Sequence, residues 1–315
     1  MSDDRSRTAS KLKTLSHKCV LLLAGLVLLI FVAVAIFAPI LAPSNLVNVD
    51  LSHTFANPVW AGGSWAHPLG TDQLGHDVLT QLMYGARTSL TTVVCVILIT
   101  SSFGTLMGLI AGYAGGVADI IISRASELAY VMPQIIVGLV LAVALGRGGT
   151  TVIIVLSVVG WVFYARVVRA EVVTLKGSDF VALATVAGVS FQTILRRHLL
   201  PAVIPSILAL ATLDFGNVIL YEAGLSFIGL GVQPPNASWG LMISTNRVFL
   251  STHPLLLLLP SAALVMTTLS GHILGDSLRE RLDPRMRSIG EGGPRSLTMR
   301  RRSIGTTAAS GDVIL

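Results

Sequence analysis

The 315-residue chain is 53% hydrophobic and only 12% charged, and its mean hydropathy is +0.77. Because a soluble domain carries about 25% charged residues, this composition excludes an ordinary water-soluble fold and predicts an all-α membrane protein. The net charge of +6 does not indicate nucleic acid binding, since basic residues are expected in cytoplasmic loops beside anionic lipid.

Six apolar segments, taken in chain order, predict six transmembrane helices. They are Lys18–Leu41, Ser89–Gly112, Ala125–Leu145, Thr150–Ala165, Ala202–Tyr221 and Leu255–Ile273. The fourteen Val, Leu, Ile and Phe residues within 20–38 favour membrane insertion of the first segment by roughly 4 to 8 kcal/mol. A cleaved signal peptide is the rival interpretation, but the apolar stretch is about twice the usual length and no small-residue cleavage site follows it.

Lys and Arg residues are distributed unequally between the two sides of this predicted bundle. With a cytoplasmic N-terminus, nineteen of the 22 lie inside and three lie outside. Short basic loops resist translocation, so we expect a multi-pass protein of the plasma or inner membrane with both termini in the cytoplasm. The predicted division is a cytoplasmic tail over 1–17, a six-helix transmembrane domain over 18–286 and a disordered cytoplasmic tail over 287–315. Residues 1–16 are also expected to be disordered.

Three glycines recur at every fourth position of the second span, namely Gly104, Gly108 and Gly112. Small residues at this spacing let another membrane helix approach closely. We therefore expect the second span to contact a neighbouring helix through this face.

The segment Arg166–Leu200 is the longest ordered stretch predicted on the cytoplasmic side. Asp179 is a suitable N-cap and Gly188 a suitable stop for a first short helix, and a second runs over Phe191–Leu200. Pro201 then begins the fifth span, where its missing N–H costs nothing. Two interpretations remain open: a helix lying on the membrane surface with its arginines snorkelling, or a docking site for a soluble partner.

The spacing of Ala184, Gly188 and the pair Leu200-Pro201 resembles the EAA loop of ABC-importer permeases. In that family the loop forms a coupling helix, near 179–200 here, that sits in a groove of the ATPase subunit. Ala182 stands in place of the motif's glutamate, so the resemblance implies apolar docking, with ionic contacts from the arginines that follow. The residues that the resemblance assigns to ATPase coupling are Asp179, Phe180, Ala184, Gly188, Arg196, Arg197, His198 and Pro201.

Three further stretches resemble motifs of one permease family. His67–Asp77 is similar to HPLGTDxxGRD, Glu222–Gly240 to EAxLSFLGLGxQPPxxSWG, and Gly275–Arg285 to GDxLRDxLDPR. On these motifs the chain is identified as a C-type member of the dipeptide/oligopeptide/nickel permeases, with His76 where the family usually has arginine. The motif residues expected on the extracytoplasmic side are Gly70, Thr71, Asp72, Gly75, Asp77, Gln233, Pro234, Pro235 and Trp239.

The resemblance implies a type I ABC-importer permease fold and a transport subunit rather than an enzyme. The implied partners are a homologous permease that completes a heterodimer, two ABC ATPase subunits, an extracytoplasmic substrate-binding protein and the lipid bilayer, with no nucleic acid. No cofactor is expected in this chain, because ATP and Mg would be bound by the ATPase subunits, and the sequence contains no P-loop motif.

The cargo that the resemblance implies is a di- or oligopeptide, with nickel or another small solute as the alternative. A secondary transporter is less favoured, because such a protein would need discontinuous helices or paired intramembrane charges at corresponding positions in two halves. The sequence does not show that pattern.

Three acidic residues fall inside predicted spans or near their ends. Asp214 lies midway along the fifth span, where it opposes insertion by roughly 2.5 to 3.5 kcal/mol and should face the bundle or a wet cavity. It can line the substrate path or hydrogen-bond a neighbouring helix, and the structural use is slightly favoured because a peptide route need not carry fixed charge. Glu127 and Glu222 lie nearer the span ends, within reach of water.

Overall fold

A computed structural model describes residues 2–46 and 49–282 of the chain. Within these ranges the chain forms helices joined by turns, and the only extended pairing described is one isolated bridge between Thr71 and Asp77. The helices are α1 (Ser2–Leu41), α2 (Val78–Ala114), α3 (Gly116–Val131), α4 (Gln134–Leu145), α5 (Gly149–Lys176), α6 (Asp179–Val186), α7 (Phe191–Ile194), α8 (Leu200–Phe227), α9 (Trp239–Asn246) and α10 (Leu255–Leu282). The all-α architecture expected from the composition is confirmed.

Five helical stretches in the described ranges are long and apolar enough to cross a membrane, and they match five of the six predicted spans. They are Lys18–Leu41 within α1, all of α2, all of α5, the continuous stretch Phe191–Phe227, and Leu255–Glu280 within α10. The sixth predicted span corresponds to the pair α3 and α4, which pass the same test together but are bent by 91°. The chain is therefore a multi-pass membrane protein.

The third predicted span, Ala125–Leu145, is not one straight helix. Pro133 has no N–H to continue the helical hydrogen bonds, and its ring disfavours helical geometry at the preceding residue. Met132 accordingly has a ψ of 120° and Pro133 a ψ of 123°, both in the extended region. The prediction of a single helix was wrong here because this proline ends α3 instead of bending it.

The limits of two other helices also differ from expectation. α1 begins at Ser2, so residues 2–16 are helical and the prediction of disorder was wrong. The chain meets no Gly or Pro before Gly25, so no helix breaker separates these residues from the span. α5 continues past the predicted span to Lys176. The predicted tail over 287–315 and the last residues of the Gly275–Arg285 motif lie outside the described residues.

The backbones of α2 and α5 touch along the predicted glycine face. A Cβ added at Gly104 would lie 2.4 Å from the carbonyl oxygen of Trp161, and one added at Gly108 would lie 2.7 Å from that of Ala165. At Gly112 the nearest atom, the Cβ of Val172, would be 2.8 Å away. Any larger residue would push the helices apart, so the close packing expected from the spacing is confirmed.

Buried apolar side chains form two clusters at opposite ends of the bundle. One surrounds Trp239 and Ile219 and lies beside α9, and the other contains Val168, Val172 and Leu199 and lies beside α6. α2, α5 and α8 each contribute to both clusters through their opposite ends. We call these ends of the bundle the α9 end and the α6 end.

Candidate functional site

Residues 179–201, which we call the 179–201 segment, form a compact helical projection at the α6 end. α6 begins at Asp179, and Ser178 takes the N-cap position, since its carbonyl oxygen accepts hydrogen bonds from Val181 N (3.2 Å) and Ala182 N (3.1 Å). The prediction of Asp179 as the N-cap is therefore wrong by one residue. Its carboxylate still lies in the first turn, where negative charge stabilises a helix.

Gly188 ends α6 as predicted. Its φ of +74° is left-handed, and Val189 N–H donates to the carbonyl oxygen of Ala184 at 3.1 Å. This is the Schellman arrangement, in which glycine is favoured because a Cβ is strained at positive φ. Gly188 thus sets the sharp turn that returns the chain from α6 towards the membrane.

The second short helix predicted over Phe191–Leu200 is not separate from the fifth span. α7 passes through a π-helical turn, Leu195–Leu199, directly into α8. Pro201 lies in the first turn of α8, as predicted. Arg196, Arg197 and His198 are all exposed on the π-helical turn, where the two guanidinium charges are available to a partner.

The 179–201 segment is fixed to the bundle on one side and presents apolar groups on the other. Val181, Ile194 and Leu199 are each at most 2% exposed and belong to the cluster at the α6 end. By contrast, Leu183 is 69% exposed and Val186 87%. Large apolar groups that are held rigidly and left uncovered indicate an interaction surface, for either a protein or a lipid surface.

Phe180 contributes to both sides of the 179–201 segment. It is 45% exposed, and its ring lies 6.1 Å from that of His198, measured between centroids. Ala184 is half-buried against the same cluster that holds Val181. The structure therefore brings together on one projection all the residues predicted to couple to an ATPase.

At the α9 end, the acidic residues of the first motif organise the backbone around them. Asp77 caps α2 by accepting from Thr80 N at 2.7 Å, which is the N-cap role expected of aspartate. Asp72 accepts from the backbone N–H of His76 at 2.9 Å and from the side-chain amide of Gln81 at 2.6 Å. His76, which replaces the arginine usual in the family, contacts the same carboxylate at 3.1 Å.

The remaining residues of this motif allow two chain segments to pass close together. Thr71 Oγ1 accepts from Ala56 N at 2.8 Å. A Cβ on Gly70 would lie 2.4 Å from the carbonyl oxygen of Ala56, and one on Gly75 would lie 1.9 Å from that of Asp50. These residues are therefore committed to folding the segment 49–77, and the structure gives them no exposed chemical role.

The pKa of the Asp50 carboxyl lies below its usual range. Hydrogen bonds from the Ser52 hydroxyl, from His53 and from Ser52 N lower its pKa to about 2. The carboxylate therefore stays ionised across the pH range of living cells, and it caps the short 3-10 turn Leu51–His53.

The second motif also builds the α9 end. Gln233 donates from Nε2 to the carbonyl oxygens of Gly229 (3.2 Å) and Gly231 (3.0 Å), and the Pro234-Pro235 bond that follows is cis. Trp239, at the start of α9, is fully buried and donates from Nε1 to the carbonyl oxygen of Leu82 at 3.2 Å. Sequence reasoning did not foresee α9, although Ser238 is a suitable N-cap and accepts from Leu241 N.

Glu222 is buried inside the bundle and does not reach water, contrary to expectation. Its side chain is 0% exposed and accepts hydrogen bonds from Ser89 Oγ at 2.9 Å and from Ser226 Oγ at 2.8 Å. The first of these bonds joins α8 to α2. A buried carboxyl group needs such partners, so Glu222 is a structural residue of the bundle.

Asp214 joins α8 to α5. Its Oδ2 accepts from the hydroxyl of Tyr164 at 3.1 Å, and Tyr164 is fully buried while Asp214 is half-buried. The structural use favoured from the sequence therefore has a partner. Within the described part of the chain, Oδ1 of Asp214 receives no hydrogen bond, so the same carboxylate keeps one oxygen for another ligand.

Two ion pairs involve α3. Glu127 lies on the surface, 52% exposed, and contacts Arg124 Nη1 at 2.6 Å, which agrees with the expected access to water. Asp119 and Arg169 form a two-bond pair between α3 and α5, with Nε–Oδ1 at 2.5 Å and Nη2–Oδ2 at 2.7 Å. Sequence reasoning missed this pair, because no local spacing relates residues 50 positions apart.

Comparison with known proteins supports the permease family that the sequence motifs indicate. The family model described as binding-protein-dependent transport system inner membrane component matches residues 104–288. The dipeptide transport system permease protein DppC of Bacillus subtilis is 38% identical over 85% of this chain and 82% of its own length. The nickel transport system permease protein NikC of Escherichia coli is 37% identical over 78% of this chain and 83% of its own.

Solved structures agree with the fold. An inward-facing structure of the MetNI methionine ABC transporter aligns with a TM-score of 0.52 at 16% identity, over 64% of this chain and 96% of the other. The all-α fold is therefore that of a type I ABC-importer permease, as expected. The chain belongs to the family of binding-protein-dependent transport system inner membrane components, and it is a permease subunit of an ABC importer.

Proposed function

We propose that this permease imports di- or oligopeptides delivered by an extracytoplasmic substrate-binding protein. It works in a heterodimer with a homologous permease, and two ABC ATPase subunits bind at the α6 end. Both termini and the α6 end face the cytoplasm, and the α9 end faces outwards. The unequal distribution of Lys and Arg supports this orientation, and the similarity to dipeptide permeases supports the partners and the cargo.

The observation that carries the proposal is the contrast between the two sides of the 179–201 segment. Leu183 and Val186 are exposed on a short helix, while Val181 is buried among the ends of the spanning helices. A partner that moves this helix therefore moves the helices beneath it. Ile194 and Leu199 are buried in the same cluster, so α8 would follow the displacement as a rigid body.

ATP and Mg would be bound by the ATPase subunits, and this chain would act mechanically. Closure of the ATPase pair on ATP would draw the two coupling helices together and open the pathway outwards. Hydrolysis would then restore the inward-facing state. In this scheme the permease converts a displacement at the α6 end into access at the α9 end and performs no chemistry on the cargo.

Nickel import by the same architecture is the second candidate, and the similarity to a nickel permease favours it. The two candidates are separated by reconstituting the whole transporter, with its permease partner, ATPases and binding protein, in vesicles. We expect ATP-dependent accumulation of a labelled dipeptide. Accumulation of nickel without any peptide would contradict the cargo, and accumulation by this chain alone would contradict the dependence on ATPases.

A further inference from the structure

Four positions of α8, which we call the α8 stripe, lie on one face of the helix. Asp214, Asn217, Tyr221 and Gly224 are separated by three, four and three positions, the spacing that aligns side chains along a helix. Three of the four carry polar groups, although they lie in a stretch that is apolar enough to span the membrane. A polar face in such a helix requires an explanation.

Three of the four positions of the α8 stripe are uncovered by the rest of this chain, whereas Asp214 is half-buried and bonded to Tyr164. Asn217 is exposed, Tyr221 is 49% exposed, and a Cβ added at Gly224 would meet no atom of a neighbouring element within 4 Å. The side-chain amide of Asn217 makes no hydrogen bond to any described residue. Within the described ranges, nothing therefore satisfies this polar group.

Lipid does not account for such a face. Polar and ionisable side chains within membrane helices almost always face the bundle interior or a water-filled cavity, because hydrocarbon offers them no hydrogen bonds. The α8 stripe must therefore face water or polar groups. In an importer built from two permeases, two places offer such surroundings, namely the contact with the second permease and the route along which the cargo passes.

The chemistry of the α8 stripe indicates which group of the cargo it binds. Tyr164 holds Oδ2 of Asp214 in place, and Oδ1 receives no hydrogen bond from any described residue. A single oriented carboxylate beside an amide and an aromatic ring suits an ammonium group next to a peptide bond. It suits a bare metal ion poorly, because such an ion takes several ligands and the described residues hold no group of three His, Cys, Asp or Glu side chains that could supply them.

We propose that the α8 stripe lines the translocation route and that Asp214 receives the N-terminal ammonium of the passing peptide. Tyr164 is then a positioning residue, which aims the carboxylate without touching the cargo. This inference rests on the proposed function for the identity of the cargo. The aqueous nature of the face can be tested without it.

The first test is independent of the cargo and compares two faces of α8. Leu208 is 51% exposed and lies on the face of the helix opposite Asn217. Asn217→Cys and Leu208→Cys are made separately in a transporter whose Cys19 and Cys95 are replaced by Ala, and both are treated with a charged methanethiosulfonate during ATP turnover. We expect the thiol at position 217 to react at least tenfold faster. Equal or slower reaction would refute the proposal.

The second test measures peptide uptake by the complete transporter. Asp214→Asn should lower uptake at least tenfold while ATP hydrolysis stimulated by the binding protein stays within twofold, and Asp214→Glu should recover part of the uptake. Asn217→Leu changes an exposed position, so the fold tolerates it, and it should lower uptake at least threefold. Normal uptake by both Asp214→Asn and Asn217→Leu would refute the role of the α8 stripe in cargo binding and leave the proposed function intact. A wild-type transporter that takes up no peptide refutes the proposed function and the assigned cargo with it.

Discussion

The two ends of the bundle use motif residues in opposite ways. At the α9 end, Asp72, Asp77 and Trp239 are buried and bonded to their own chain. At the α6 end, Arg196 and Arg197 are exposed, and Leu183 and Val186 are exposed on the helix beside them. A family motif therefore marks either a place where the chain folds upon itself or a surface left free for another chain. Only burial and hydrogen bonding separate the two.

The largest effect on folding is expected from a substitution that disturbs the packing at the α9 end. Gly75→Ala would place a methyl group 1.9 Å from the carbonyl oxygen of Asp50, at a φ of +76°. We expect loss of most of the folded protein from the membrane fraction, measured by detergent extraction followed by size-exclusion chromatography. Gly62→Ala is the matched control, because its φ is +89° but no atom lies within 4 Å of the added Cβ. Equal loss in both variants would mean that strain, and not the contact with Asp50, sets the effect.

At the α6 end the matching substitution should spare the fold and abolish coupling. Leu183→Asp places a charge where an apolar partner is expected, and the side chain is already 69% exposed. We expect normal abundance, at least a tenfold loss of ATP-driven uptake, and loss of the ATPase subunits on affinity purification. Leu51→Asp, equally exposed at the α9 end, should keep the ATPases bound. Retention of the ATPases by the Leu183 variant would contradict the proposed docking surface.

A smaller effect is expected from removing a single cap at the α9 end. Asp77→Ala deletes the acceptor for Thr80 N and Thr80 Oγ1, and the loss of an N-cap costs about 1 kcal/mol. Scanning fluorimetry of the purified protein should show a Tm lower by about 2 to 4 °C. If the Tm is unchanged, the cap at Asp77 does not stabilise the fold measurably, and the contrast between the two ends weakens.

The smallest expected change concerns the link between α5 and α8 that runs between the two ends. Tyr164→Phe removes the hydrogen bond to Asp214, and because Asp214 is only half-buried the expected loss is about 0.5 kcal/mol of stability, the low end for a hydrogen bond. The Tm should fall slightly, whereas Tyr221→Phe, at a half-exposed position, should leave it unchanged. A larger fall for the Tyr221 variant would mean that the exposed face of α8 is covered by this chain in solution.

Features that depend on local chemistry were accessible from the sequence. The glycine face of the second span, the stop at Gly188 and the position of Pro201 each follow from what one residue type can or cannot do, and the structure confirms all three. The separation of α7 from α8 was predicted wrongly, because Pro201 is a helix-start signal but a π-helical turn carries the helix through.

Features that depend on partners distant in the chain could not be predicted from the sequence. Glu222 lies 133 positions from Ser89, so its position near a span end suggested contact with water instead of burial. Asp119 and Arg169 likewise meet only because α3 folds back against α5. The break at Pro133 could be predicted only in part. The sequence shows the proline, but whether a proline bends a membrane helix or ends it depends on the packing around it.

The proposed partner at the exposed side of α6 is a nucleotide-hydrolysing subunit. The most direct measurement places a photo-crosslinking amino acid at position 183 of the assembled transporter and identifies the product by mass spectrometry. We expect an adduct with the ATPase subunit, formed in good yield with and without ATP. An adduct with lipid alone, in a transporter that still hydrolyses ATP and takes up cargo, would contradict it.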